Sequence, residues 1–178
     1  MRNQEILTVE PSPQARKILS ELNYDFRAFT IDHFIKWIET IKGREILLCP
    51  WLMPSGLFGA WMSDGENPRE FFFFRENAER LFQIHIQLHE LSHYLCGHPT
   101  KKITKKQIEE ALEKGIALPF DELVKLRSPE VSAYERDAES LASLIQEQVI
   151  RHSQIEQLTR GVSSDKKVAD SLKNLGLI

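Results

Sequence analysis

The sequence predicts an α+β fold, mostly helical, with a small antiparallel three-stranded sheet packed on one central helix. Three observations carry this expectation. Apolar residues recur at helical spacing in several separate stretches, three short apolar runs cluster between residues 46 and 75, and one long segment is apolar nearly all round. A chain of 178 residues with 42% hydrophobic and 28% charged residues suits a single domain with a sizeable core, here expected over about residues 12–150.

The first ten residues read as a loose arm or a short extended segment. Pro11-Ser12-Pro13 then opens a helix, with Ser12 as cap, Pro13 at the first position, and Ala15, Ile18, Leu19 and Leu22 on one side. A second helix is expected over residues 31–41, where Phe34, Ile35, Trp37, Ile38 and Ile41 recur and Gly43 ends the run. His33 reads as a residue of the helix surface.

From Glu45 the period changes. Ile46, Leu47, Leu48 and Cys49 read as a strand that stops at Pro50, and residues 56–62 and 70–75 give two more, separated by the turn-rich residues 63–68. Four consecutive Phe residues, Phe71 to Phe74, break strict alternation and point to a strand covered on both faces. Asn77 is the expected cap of the next helix, residues 78–96, with Gly97 and Pro99 as its stop signals. Residues 104–114 form another helix, and Lys101, Lys102, Lys105 and Lys106 belong to a solvated face. Ser128-Pro129-Glu130 starts a last long helix, running to about residue 150, with Val131, Tyr134, Ala138, Leu141 and Ile145 as its apolar stripe. Residues 151–178 read as a polar tail with a break at residues 161–165 and a short helix ending at Leu175.

The all-round apolar helix carries the chemistry. Its residues His89, Glu90 and His93 spell H-E-x-x-H, so two imidazoles four residues apart project from one side and can bind one metal ion. Glu90 lies where a general base acting on a metal-activated water would sit. At about 100° per residue, His85, His89, His93 and Cys96 fall within about 80° of one another. A catalytic zinc takes three protein ligands and keeps its fourth position open, so a third ligand is required. The candidates are acids of the last helix. With Ala138 at the centre of the buried stripe, Glu135 lies about 60° away, and Asp137 and Glu139 about 100° away on the flanks. Glu135 is therefore the acid best aimed at the neighbouring helix, Glu139 is placed to accept a hydrogen bond from a ligand histidine, and Asp137 is the reserve ligand. His85 and His98 read as residues behind the site, and Cys96 as a small buried hydrophobe.

These residues resemble a known group. His89-Glu-Leu-Ser-His-Tyr-Leu-Cys-Gly-His98, followed by Glu135-Arg-Asp-Ala138-Glu-Ser-Leu-Ala142, is similar to the two motifs of the ImmA/IrrE zinc metallopeptidases, whose second motif supplies a Glu as third ligand. The resemblance implies a gluzincin-like, zincin-type fold with Zn²⁺ on His89, His93 and Glu135 and Glu90 as catalytic base. It implies a zinc-dependent endopeptidase acting on a specific protein, a helix-turn-helix repressor or antitoxin-like partner. The alternative is a zinc-binding regulatory or toxin-antitoxin-type protein without efficient proteolysis. Leu141 stands where the family has Phe, and His85 where an aromatic or apolar residue is common.

Other function classes are disfavoured. A net charge of −3 gives no general attraction to nucleic acid or anionic membranes, and no apolar run reaches the roughly twenty residues that span a bilayer. Two cysteines make no disulfide framework, and no signal-peptide pattern is present, so the expected compartment is the cytoplasm.

Overall fold

A computed structural model describes residues 10–127 and 131–162. The expected arm over residues 1–9, the cap at residues 128–130 and the short helix ending at Leu175 lie outside the described residues. The fold is α+β, and its elements follow in the order α1 (Pro13–Leu22), a single 3₁₀ turn (Phe26–Ala28), α2 (Ile31–Lys42), β1 (Glu45–Trp51), β2 (Gly59–Asp64), β3 (Arg69–Arg75), α3 (Arg80–Cys96), β4 (Lys102–Ile103), α4 (Lys105–Lys114), α5 (Phe120–Arg127) and α6 (Val131–Val162). No helix among the described residues is long and apolar enough to cross a membrane.

Local chemistry sets the helix ends. Ser12 Oγ accepts from the Ala15 amide at 3.1 Å, with Pro13 following, as the sequence predicts. Thr104 and Gln107 close a reciprocal capping box on α4. Gly43, Gly97 and Gly115 end α2, α3 and α4 in the left-handed conformation that a side chain disfavours. Asn77 does not cap α3. It sits in the turn closing β3, and α3 begins three residues later with Glu79 at its N-cap and no side-chain hydrogen bond there. Toward the other terminus, α6 continues to Val162, so residues 151–162, read from sequence as part of a polar tail, are helical.

The expected three-stranded antiparallel sheet is corrected to a four-stranded mixed sheet of order β1-β3-β2-β4. β2 and β3 form the anticipated antiparallel hairpin, but β1 pairs parallel to β3, from Glu45 opposite Arg69 to Trp51 opposite Arg75. The Phe-rich strand thus takes an inner position. Phe71 and Phe73 face one cluster with Met62, Ile103, Ile108, Phe120 and Leu123, and Phe72 faces the other with Trp61, Leu88 and Leu91. A strand apolar on both faces is stabilised most where helices cover both sides, and such positions accept parallel neighbours. β4 pairs only Lys102 and Ile103 with Ser63 and Asp64, too short for alternation to announce it. α1, α2, α3 and α6 pack on one face of the sheet, while α4 and α5 cover the other.

Polar anchors hold this frame. Glu70 is 2% exposed and accepts hydrogen bonds from Arg44 Nε, from Trp61 Nε1 at 2.7 Å and from Ser63 Oγ at 2.6 Å. Glu70→Ala strands these donors in the interior, and the expected loss is about 3 kcal/mol. Chemical denaturation measures it, and a loss below about 1 kcal/mol, the net worth of one ordinary hydrogen bond, would count against the anchor. Of the basic residues near α4, Lys101 pairs with Glu122 at 3.1 Å and Lys105 with Glu109 at 3.5 Å, consistent with a solvated ionic face. His33, exposed on α2, bonds Tyr24 Oη through Nδ1 at 2.8 Å.

Candidate metal centre

Two helices build the site. α3 is packed between sheet and helices, with Leu88, Leu91 and Leu95 buried among α1, α2 and α6 side chains, so its His89 and His93 are fixed by a rigid element. α6 buries Ala138, Leu141 and Ile145 in the same cluster or at zero exposure, which turns Glu135 toward α3. His89 Nε2 lies 3.0 Å from Glu135 Oε2, His93 Nε2 lies 3.3 Å from Glu135 Oε1, and the two Nε2 atoms are 3.1 Å apart. One ligand atom from each of the three residues falls within 4.8 Å of the others, close enough to hold one metal ion.

The donor chemistry of the shell fits a cation. Glu139 Oε2 lies 3.2 Å from His89 Nδ1, and a carboxylate only accepts, so Nδ1 donates there and leaves Nε2 as the ligand atom for a metal that would displace the Nε2 proton. His93 Nδ1 meets His98 Nδ1 at 2.7 Å, and His98 Nε2 faces Asp137 Oδ2 at 4.0 Å. The Asp137 charge favours a proton on His98 Nε2, an arrangement in which His98 Nδ1 accepts from His93 Nδ1 and His93 Nε2 is the atom left to face a metal. Two imidazole Nε2 atoms and a carboxylate thus converge on one point, a donor set that fits a metal cation.

Protonation in the metal-free protein follows the same field. Burial disfavours the charged His89 ring, but the Glu135 hydrogen bond and the negative charges of Glu90, Glu135 and Glu139 outweigh it and raise its pKa. Burial likewise works against the Glu135 carboxylate, yet hydrogen bonds from His89 and His93 hold it far below the usual carboxylate range.

The sequence-predicted residues thus separate by role. His89, His93 and Glu135 come together, and Glu139 backs His89 as its helical phase suggests. Asp137, the reserve ligand, faces His98 instead. His85 stands one turn before His89, with Nδ1 3.1 Å from Gln146 Nε2 and Nε2 3.8 Å from Glu139. Cys96 is half-buried against the core, and burial pushes its thiol up to about 12. His98→Ala removes the partner of His93 Nδ1, and metal affinity is expected to fall about 10–100-fold in chelator competition. An unchanged affinity would show that His98 only fills space.

Glu90 is 6% exposed and lines a cleft of about 520 Å³ together with His89 and Glu135. Gly59, at the start of β2, explains how it is held. A Cβ built there would lie 2.5 Å from Ile86 Cγ2 and 3.0 Å from both Glu90 Cγ and Oε1, so only a residue without a side chain lets the strand approach. The Gly in an apolar strand was the available signal for such an approach. Gly59→Ala is expected to cost about 1–3 kcal/mol and to displace the Glu90 carboxylate. Thermal unfolding reads the first effect, and an unchanged midpoint would mean that Ile86 and Glu90 yield freely.

α5 is the α-helix that sequence reasoning missed, and it supplies Phe120, Leu123 and Val124 to the cleft. Its signal was Pro119 followed by Asp121 and Glu122, a helix start with acids in the first turn. No family model, curated protein or solved structure matches the sequence or its fold.

Proposed function

We propose that the protein is a zinc-dependent endopeptidase of the ImmA/IrrE kind, acting on a specific protein such as a helix-turn-helix repressor or antitoxin-like partner. The observation that carries this reading is the convergence of His89, His93 and Glu135 at the edge of a cleft that His89 and Glu135 line together with Glu90. Three ligands leave a fourth position for substrate chemistry, whereas structural zinc sites close all four with protein. Zinc, when bound, supplies Lewis acidity that polarises a peptide carbonyl and acidifies water.

The protein's own residues do the rest. Glu90 takes the proton of the attacking water on its carboxylate as the water oxygen bonds to the carbonyl carbon. It then delivers that proton to the amide nitrogen as the C–N bond breaks, and both product ends leave the cleft. Glu139 and His98 orient the two imidazoles through their Nδ1 atoms. Gly59 keeps the β2 backbone against Glu90, fixing the base relative to the ligands.

A zinc-binding regulatory partner that does not cut is the competing reading, and a buried carboxylate beside an incomplete ligand set argues against it. The test is co-incubation of the zinc-loaded protein with the product of the neighbouring gene, followed by mass spectrometry. Cleavage at a defined bond that a chelator stops is the expected result. A stable, uncut complex would favour the competing reading.

A further inference from the structure

The same cleft has a composition that speaks to what it holds. Beyond the ligands, its walls come from three elements: Leu57 and Phe58 before β2, Phe82 on the first turn of α3, and Phe120, Leu123 and Val124 on α5. Phe120 and Leu123 are buried in the core behind the cleft, but Phe58, Phe82 and Val124 remain 47%, 40% and 49% exposed. Phe58 and Phe82 meet edge to face with centroids 5.3 Å apart, and Phe82 stacks on His85 at 6.2 Å. Two adjoining aromatic rings thus stand half-open beside the metal ligands.

Charge points the same way. The charged residues lining the cleft are Glu90, Glu135 and Glu139, and no Lys or Arg lines it among the described residues. One divalent ion leaves the three carboxylates with a net charge of about −1. An acidic side group, or a free terminal carboxylate, beside the ligands would meet the residual negative charge and find no Lys or Arg on the lining to pair with.

We propose that the cleft selects an internal peptide segment with a bulky apolar side group, aromatic or branched aliphatic, beside the scissile bond, and rejects an acidic residue or a free terminal carboxylate there. The proposal rests on the zinc reading above. It adds that the Phe58–Phe82 corner and the α5 wall form the specificity surface, with Phe58 and Phe82 as specificity-determining residues that the sequence motifs do not include. Covering those rings removes apolar surface from water, and the carboxylates set the sign of what is excluded.

Small hydroxamates test this on the zinc-loaded protein, since each presents the same metal-binding head with a different side group. Acetohydroxamate, a benzyl-bearing hydroxamate and a carboxymethyl-bearing hydroxamate are compared by calorimetry. The benzyl compound is expected to bind at least about tenfold more tightly than acetohydroxamate, and the carboxymethyl compound more weakly than either. In Phe58→Ala and Phe82→Ala the benzyl-to-acetohydroxamate ratio falls toward one. Equal affinities in the wild type, or a preference for the carboxymethyl compound, would overturn the proposal while leaving the zinc site standing. Failure of the protein to load zinc, or of acetohydroxamate to bind the loaded protein, would instead overturn the zinc reading and the selectivity with it.

Discussion

On the proposed zinc-peptidase reading, Glu90→Gln is expected to lower peptide-bond hydrolysis by about 10²–10⁴-fold while leaving zinc binding intact. The two halves of this expectation come from different observations. Glu90 is not one of the three residues whose donor atoms converge, so removing its charge leaves the ligand set whole. Gln preserves the shape that packs against Gly59, where the Glu90 Cγ and Oε1 atoms come within 3.0 Å of a Cβ position, so the fold is not disturbed. What Gln lacks is a basic oxygen able to take and return a proton. Cleavage rate and zinc content are measured on the same preparation. Wild-type turnover in the variant would refute the assignment of the base.

Glu135→Ala is expected to do the reverse, removing metal and activity together. It deletes the one ligand contributed by α6 and leaves two imidazoles, a set that holds zinc weakly. Affinity should fall by more than the roughly 10–100-fold that loss of an outer partner costs. The effect on folding has a separate cause. In the metal-free protein His89 and His93 bond the Glu135 carboxylate, so the variant also loses the contact that ties α6 to α3 at this point. Competition with a chromophoric chelator reads the affinity. A variant that binds zinc as tightly as the wild type would pass the third-ligand role to another acid, and Asp137 and Glu139 are the neighbours to replace next.

These two residues were legible in the sequence for different reasons. His89, Glu90 and His93 form a local pattern on one helix, where spacing alone fixes which residues share a face. Glu135 was legible through phase, because Ala138, Leu141 and Ile145 mark the buried stripe of α6 and set its angle to the site. The same logic put Glu139 behind His89. His98 was harder: it follows Gly97, whose left-handed turn folds the backbone around so that His98 Nδ1 reaches His93 Nδ1, a path no helical wheel describes.

The sheet was the least legible part. Strand existence followed from apolar runs, and the run Phe71 to Phe74 already read as a strand covered on both faces, but which strands flank it and in which direction is set by packing in three dimensions. The parallel pairing of β1 with β3 therefore escaped a reading that joined neighbours in sequence. Gly59 escaped for the same reason, since its role lies in a close approach between β2 and α3 that sequence distance conceals. The apolar cleft was hidden with α5, whose eight residues are too few for a periodic signal.

The central claim is that His89, His93 and Glu135 hold zinc and leave a position open. X-ray absorption at the zinc edge of the wild-type protein tests it most directly. The expected spectrum shows two imidazoles within a nitrogen and oxygen shell at about 2.0–2.1 Å and no sulfur. A shell containing sulfur at about 2.3 Å, which would draw in Cys49 or Cys96, or a protein that takes up no zinc at all, would contradict it.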